Sequence, residues 1–268
     1  MPKLPRPPWP PWPAALAMLR ALVPSDCPLC GARSRGGLLC ETCEDAICWA
    51  ARTPATLGLP WRCRRCALPL PAHDAACPDC EGREPAFERT FIAFDYVPPA
   101  DALVLQLKNS LRYGRADLLG NLLAEAIRHQ GTPLHPATVL VPIPASAASL
   151  RRRGFNPAGE IARAVGRDLG MPVRRDLLAR NREQAKQSGL GRLERRRAAQ
   201  TLYASSPHAR GMHVALVDDV MTTGSTMHAA ATALRAAGAA SVVALAVARA
   251  PGHFPADPPH RPRAQWRK

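Results

Sequence analysis

Residues 214–226, which read Val-Ala-Leu-Val-Asp-Asp-Val-Met-Thr-Thr-Gly-Ser-Thr, are the most informative segment for predicting the fold. The four apolar residues from Val214 to Val217 predict a short buried strand, and two adjacent acids end it. A small hydroxyl-rich turn follows. The next residues predict a helix over Met227–Ala237, a C-cap at Gly238 and a second strand over Ser241–Val247. We therefore expect an α/β fold in which strands and helices alternate.

The turn has the chemistry of an anion-binding site. A helix N-terminus offers unpaired N–H groups and the positive end of the helix dipole to a phosphate. Hydroxyl donors and a glycine that lets the backbone approach are found at Thr222, Thr223, Gly224, Ser225 and Thr226. Asp218 and Asp219 precede them at the carboxyl end of the strand, where open α/β sheets bind ligands. Carboxylates accept hydrogen bonds from vicinal hydroxyls, so a ribose 5-phosphate would satisfy both halves of the site.

This segment resembles the phosphoribosyl-pyrophosphate (PRPP) loop of the type I phosphoribosyltransferases. In that family the paired acids hold the ribose 2′ and 3′ hydroxyls, and the turn holds the 5′-phosphate. A strand-to-helix turn without a ligand would also favour a capping Thr or Ser, but it would not require two consecutive acids. The segment lacks the Gly-x-x-x-x-Gly-Lys of a Walker A motif, which argues against a nucleoside triphosphatase.

Eight of the nine cysteines form four Cys-x-x-Cys pairs. Such a turn places two thiolates on one side of a metal, and two turns complete a tetrahedral zinc site with four cysteine ligands. In sequence order the pairs predict two sites, one with Cys27, Cys30, Cys40 and Cys43 and the other with Cys63, Cys66, Cys77 and Cys80. A cross-braced pairing of the first pair with the third is also compatible with the spacing. Because all four ligands come from protein, both zinc ions would be structural.

Other uses of these thiols fit the sequence less well. A disulfide framework requires an oxidising compartment, and the proline-interrupted N-terminus is a poor signal peptide. Redox chemistry at one Cys-x-x-Cys would not account for four repeated pairs. The ninth cysteine, Cys48, is expected in the core. No run approaches the roughly 18 apolar residues of a membrane span, so we expect a cytoplasmic protein that does not span a membrane.

The chain has 268 residues and a formal net charge of +15, and much of this charge lies in residues 151–200. A basic stripe attracts phosphates, and nucleic acid is one candidate partner. The alternative is a solvated surface. The nucleic-acid contact candidates are Arg192, Arg195, Arg196 and Arg197.

Periodicity along the rest of the chain completes the sheet. Strands are predicted over Ala86–Tyr96 and Thr138–Ile143, and helices over Ala102–Leu111, Ala116–His129 and Asn156–Leu169. Together with residues 214–247 they predict a doubly wound, mostly parallel sheet. We expect four regions: a Pro-rich lead with a short helix (1–24), a double zinc ribbon (25–85), a phosphoribosyltransferase-like domain (86–250) and a disordered basic tail (251–268).

Further motifs narrow the resemblance to one family. Val-Pro-Ile-Pro at 141–144 followed by Arg-Arg-Gly-Phe-Asn at 152–156, with paired cysteines before them, resembles the competence protein ComF family and its GntX-like members. The resemblance covers about residues 14–249. It implies a type I phosphoribosyltransferase fold, PRPP with Mg²⁺ as ligand, and pyrophosphate or basic contacts at Lys108, Ala145, Ser146 and Arg153. Ser146 and Pro157 depart from the His and Gln that the family often carries.

Two functions follow from these features. The loop chemistry favours an enzyme in which pyrophosphate leaves C1 of PRPP and an acceptor attacks the ribose. The ComF resemblance favours a protein that handles single-stranded DNA during natural transformation, together with DNA-uptake machinery, and uses the fold to bind a phosphoribosyl group. The two functions are compatible, and the sequence does not name an acceptor.

Overall fold

The computed structural model describes residues 23–52, 61–82, 84–109, 114–130, 133–181 and 202–252. The N-terminal part contains two small hairpins and a helix: β1 Pro24–Asp26, β2 Arg33–Arg35, α1 Glu41–Arg52, β3 Trp61–Arg62 and β4 Pro69–Leu70. Helix α1 was not predicted, because the Cys-x-x-Cys spacing indicates turns in this part of the chain. The hairpins β1–β2 and β3–β4 are antiparallel.

The larger part alternates strands and helices as predicted. Its elements are β5 Thr90–Asp95, α2 Asp101–Asn109, α3 Gly114–His129, β6 Thr138–Pro142, α4 Ala147–Arg153, α5 Pro157–Leu169, β7 Leu178–Arg180, β8 Tyr203–Ser205, β9 His213–Met221, α6 Ser225–Ala236 and β10 Ser241–Arg249. The short helix α4 was not predicted. The strands β7 and β8 form a separate antiparallel hairpin.

Four strands form a parallel sheet in the order β5-β10-β9-β6. Val173 adds a one-residue parallel bridge to Leu140 on the outer side of β6. The chain therefore runs outward from β6, whereas from β9 it runs through α6 to β10 on the other side. This reversal of direction confirms the doubly wound, parallel α/β class.

Both faces of the sheet are buried. Alternate residues of β9 face opposite cores: Ala215 and Val217 pack with α2, α3 and α5, whereas Val214 and Leu216 pack with α6. On the first face α3 and α5 approach so closely that a Cβ on Gly120 would lie 2.3 Å from the Cβ of Ala164. Glycine at this position therefore lets the two helices touch.

The cysteine-rich part shares both cores with the sheet. Ile47 and Cys48 of α1 are buried with the α2, α3 and α5 core, as predicted for Cys48. Leu68 is fully buried with the α6 core. The segment around Leu68 also contacts both ends of the outer strand β5. Thr90 Oγ1 donates a 2.6 Å hydrogen bond to Arg65 O.

Within the described ranges, no helix is long and apolar enough to cross a membrane. The predicted lead helix and the basic tail fall almost wholly on residues 1–22 and 253–268, which lie outside those ranges.

Candidate functional site

Asp218 and Asp219, which we call the acid pair, lie at the point where the neighbouring strands β6 and β9 separate. β6 pairs with β9 only as far as Pro142 opposite Val217, and Ile143 N donates a final 2.9 Å hydrogen bond to Val217 O. Beyond it, Asp218 and Asp219 have β10 on one side and no longer have β6 on the other. Because the chain leaves β6 and β9 in opposite directions, the gap between their carboxyl ends is a topological switch point, where α/β sheets bind ligands.

The strand is longer than the sequence indicated. Asp218 and Asp219 were expected to end it, but β9 continues to Met221. The reason is β10, which pairs with β9 as far as Met221 and keeps the acidic segment extended. The strand alternation then directs Asp219 toward the face of α2 and Asp218 toward the face of α6.

The two acids have different surroundings. Asp219 is buried and its Oδ1 lies 2.8 Å from Lys108 Nζ, on α2. Asp219 N donates a 2.9 Å hydrogen bond to Asp218 Oδ1. Burial and the adjacent charge of Asp219 raise the pKa of Asp218 to about 8. Lys108, predicted as a contact for pyrophosphate, is therefore paired with Asp219 of the acid pair.

Residues 222–226, which we call the phosphate turn, have the predicted chemistry, but the helix that follows begins earlier than predicted. Gly224 has φ +72°, a left-handed conformation that disfavours residues with a Cβ, and it is the N-cap of α6. The helix begins at Ser225 rather than Met227 and receives no side-chain cap from Gly224. Thr223 Oγ1 lies 2.8 Å from Ser225 Oγ. Four hydroxyl side chains are exposed around this helix start: Thr222, Thr223, Ser225 and Thr226.

A second loop faces the gap from the end of β6. Ser146 caps α4 by accepting a 3.1 Å hydrogen bond from Ser149 N. Ala145, beside it, can offer a ligand only its backbone. Asn156, whose role the sequence analysis did not recognise, donates from Nδ2 to Ile143 O at 2.9 Å. This hydrogen bond holds the start of the loop against α5.

The basic stripe divides into paired and unpaired arginines. Arg163, Arg167, Arg174 and Arg175 all lie within 4 Å of carboxylates. By contrast, none of the three arginines that end α4, Arg151 to Arg153, has a carboxylate partner among the described residues. Arg151 and Arg152 are exposed and Arg153 is half-buried. Among the described residues of this region, α4 therefore ends in three successive arginines without carboxylate partners, next to the loop after β6.

Arg249, which the sequence analysis did not single out, joins the phosphate turn to the cysteine-rich part. It ends β10 with 1% exposure. Its Nη1 donates to the carbonyl oxygens of Met221, at 3.3 Å, and of Thr222. Its Nε donates to Cys66 O at 2.9 Å, and its Nη2 pairs with Asp79. The sequence feature that could have identified Arg249 is its position as the single charged residue at the end of a nine-residue, mostly apolar strand.

The cysteines form two groups in sequence order rather than a cross-braced pair. The Sγ atoms of Cys27, Cys30, Cys40 and Cys43 lie within 4.8 Å of one another, and so do those of Cys63, Cys66, Cys77 and Cys80. We call them the first and the second cysteine group. The reason is local chain folding. Each hairpin carries one Cys-x-x-Cys turn, and the next Cys-x-x-Cys turn along the chain folds back against that same hairpin.

Four thiols this close compete for protons. Hydrogen bonding from Cys66 lowers the pKa of Cys63, whereas burial and the charge on Cys63 raise the pKa of Cys80. Four thiolates can therefore coexist only beside a cation, and this donor set fits Zn²⁺.

The four arginines predicted to contact nucleic acid, Arg192, Arg195, Arg196 and Arg197, lie outside the described residues. They belong to the connection between β7 and β8, whose ends are joined by a 3.0 Å hydrogen bond from Asn181 N to Leu202 O.

Comparisons with known proteins agree with this architecture. The phosphoribosyl transferase domain family matches residues 117–258. The chain is 32% identical over 225 residues to the DNA utilization protein YhgH of Escherichia coli O157:H7, covering 82% of this chain and 95% of that protein. It is 29% identical to Competence protein F of Haemophilus influenzae (70% and 84% covered) and to Competence protein ComFC of Bacillus subtilis (75% and 82% covered).

Among solved structures, glutamine phosphoribosylpyrophosphate amidotransferase from B. subtilis aligns with 48% of this chain and 25% of its own at 24% identity, with a TM-score of 0.34. That likeness is too slight to bear on function. The sequence matches suffice: the chain belongs to the phosphoribosyl transferase domain family and to the ComF group formed by its competence and DNA-utilization relatives.

Proposed function

We propose that the gap between β6 and β9 binds PRPP. The carboxylates of Asp218 and Asp219 accept hydrogen bonds from the ribose 2′ and 3′ hydroxyls. The exposed hydroxyls and N–H groups of residues 222–226 hold the 5′-phosphate. The observation that carries this proposal is the position of the acid pair, which begins where β6 separates from β9 and precedes the hydroxyl-rich N-terminus of α6.

The pyrophosphate end of the ligand would lie toward the loop after β6. Residues Ala145 and Ser146 offer backbone and hydroxyl groups there, and Arg153 offers a cation without a carboxylate partner among the described residues. Mg²⁺ would accompany the pyrophosphate oxygens, which are the hard ligands it prefers. Lys108, now held by Asp219, would lie within the same site.

Calorimetry with three ligands tests this assignment. At about pH 9, above the pKa of Asp218, we expect PRPP with Mg²⁺ and ribose 5-phosphate to bind the wild type. Asp218→Asn combined with Asp219→Asn should weaken both by about 100-fold, because the hydrogen bonds from the ribose hydroxyls lose their charged acceptors. Inorganic pyrophosphate is the matched control, because it has no ribose and should not bind the double variant more weakly than the wild type. Equal affinity of the wild type and the double variant for ribose 5-phosphate would refute the acid-pair site.

The relatives suggest the setting in which this site works. Their names refer to competence and DNA utilization, and Arg151 and Arg152 provide an exposed positive surface without carboxylate partners in the described part of the chain. We therefore assign the protein a role in DNA uptake at the cytoplasmic side, where it contacts single-stranded DNA and uptake-machinery proteins while PRPP binding adjusts that contact.

The alternative is an active phosphoribosyltransferase of nucleotide or related metabolism with no DNA role, which the PRPP-loop chemistry favours. Measuring PRPP consumption with and without single-stranded DNA separates the two functions. Steady consumption with a small-molecule acceptor and no response to DNA would favour the enzyme. Binding without consumption, altered by DNA, would favour the DNA-handling role.

Zinc would act as a structural element in both cases. Each cysteine group has four thiolate donors and no open ligand position, so a bound Zn²⁺ would hold its two turns together without taking part in chemistry.

A further inference from the structure

We propose that Arg249 is a positioning residue through which the second cysteine group, formed by Cys63, Cys66, Cys77 and Cys80, controls the shape of the phosphate turn. Intact metal ligation at this group would hold the turn ready for a phosphoribosyl ligand, and loss of ligation would loosen it. The inference rests on the proposed PRPP site for its ligand, but the link between the cysteine group and the turn is independent of that site.

The geometry of Arg249 supports this link. Its guanidinium contacts the backbone of two segments that are far apart in sequence: Cys66 O on one side, and Met221 O and Thr222 O on the other. Thr222 is the first residue of the phosphate turn. A displacement of either segment would leave a guanidinium N–H without its acceptor in a site that is 1% exposed, which is costly. The two segments are therefore expected to move together.

The contacts to the second cysteine group involve the ligand residues themselves. Nη2 of Arg249 lies 3.8 Å from Cys66 Sγ, and it pairs with Asp79, which stands inside the turn from Cys77 to Cys80. A metal ion that fixes Cys66 and Cys80 would also fix the carbonyl and carboxylate that orient Arg249. Only arginine has a planar fork with enough donors to reach both segments at once.

Asp79→Ala is the informative variant, because it leaves Arg249 and all cysteines in place. Replacing Arg249 itself would open a buried site and could prevent folding. The matched control is Thr90→Val. It removes the hydrogen bond from Thr90 Oγ1 to Arg65 O, which also joins the segment around Leu68 to the sheet but lies at the end of β5 away from Arg249. Both variants are compared at equal zinc content, and their thermal stabilities are measured.

Hydrogen exchange of residues 221–226 in the absence of ligand is the first readout. We expect faster exchange of these amides in Asp79→Ala and unchanged exchange in Thr90→Val. Affinity for PRPP is the second readout, with a loss of roughly tenfold in Asp79→Ala only, a typical size for coupling between two sites. Equal effects of the two variants on exchange, or an unaltered turn in Asp79→Ala, would overturn the proposal.

Linkage supplies a reciprocal test. If the turn and the second cysteine group are coupled, PRPP must slow alkylation of Cys66, Cys77 and Cys80 after chelation, as mapped by mass spectrometry of the wild type. Cys27 and Cys30 of the first group serve as the internal control, because both belong to the other hairpin and Cys27 lies in the other core. Equal protection of both groups, or of neither, would contradict the coupling. If the wild type binds no PRPP, the proposed function fails. Hydrogen exchange alone then tests whether Arg249 links the second cysteine group to the phosphate turn.

Discussion

Lys108 Nζ lies 2.8 Å from Asp219 Oδ1, so that helix α2 supplies a cation to the acid pair on β9. The side chains are 21% and 12% exposed, so water screens the contact only partly. Two adjacent carboxylates repel each other, and the lysine offsets that repulsion. The ion pair is therefore expected to stabilise the folded protein, apart from any contact that Lys108 makes with a ligand.

Removing this lysine should destabilise the protein in a pH-dependent manner. In Lys108→Met we expect a loss of about 2 kcal/mol in the free energy of unfolding at pH 8, because a partly buried carboxylate is left without its partner. At pH 5 the loss should be smaller, because the acid pair then retains a proton. Urea unfolding measures both values. Lys108→Arg, which keeps the charge, is the control, and an equal loss at both pH values would contradict the explanation.

Asp218 should make the ligand-free protein less stable as the pH rises. Its pKa is about 8 in the folded state, raised first by burial and then by Asp219, whereas its ordinary value is 3.8. Between these values the unfolded chain has released the proton and the folded chain retains it, so the free energy of unfolding falls as pH increases. Asp218→Asn should flatten that slope between about pH 5 and 8. Urea midpoints across this range give the slopes, and parallel slopes for both proteins would show that Asp218 does not titrate there.

Metal analysis should find about two equivalents of zinc per chain, one for each cysteine group. Cys43→Ser should reduce the value toward one, whereas Cys48→Ala should leave it unchanged, since Cys48 is a core residue outside both groups. Chelation should lower the thermal stability of the whole protein, because α1 and the segment around Leu68 pack in the same cores as the sheet. Retention of two equivalents in Cys43→Ser would contradict the first site.

Single-stranded DNA should bind with micromolar-range affinity, without sequence preference and with a steep salt dependence. Arg151→Glu combined with Arg152→Glu should weaken binding and reduce the salt slope by roughly 0.7 for each phosphate that the variant no longer neutralises. Arg163→Glu combined with Arg174→Glu is the matched control, because both arginines are already paired with carboxylates. A labelled oligonucleotide titrated at several salt concentrations provides the slopes.

The outcome of that titration also locates the surface. If the control reduces binding as much as the α4 variant does, the contact is diffuse charge rather than a site beside the loop after β6. Charge reversal of Arg195, Arg196 and Arg197 extends the test to the connection between β7 and β8. No binding even at low salt would leave the enzyme function alone.

Much of the fold could be predicted because its signals are local. The helix predicted over Ala116–His129 is found as Gly114–His129, and the strand predicted over Thr138–Ile143 as Thr138–Pro142. Both have an uninterrupted apolar period. The prediction was wrong where hydrogen bonding to another strand decided the boundary. β9 runs through its two acids to Met221 because β10 pairs with it that far.

Local sequence was enough to predict the chemistry available to this protein: paired cysteines spaced for metal turns, and an acid pair followed by a hydroxyl-rich helix start. These are properties of neighbouring residues, which the chain order already brings together. The partners that these groups contact could be identified only from the folded protein. The sequential pairing of the Cys-x-x-Cys turns, the contact of Lys108 with Asp219, and the reach of Arg249 to Cys66 and Thr222 join distant segments. Such contacts depend on strand order and packing of the whole sheet, and a local pattern carries no information about either.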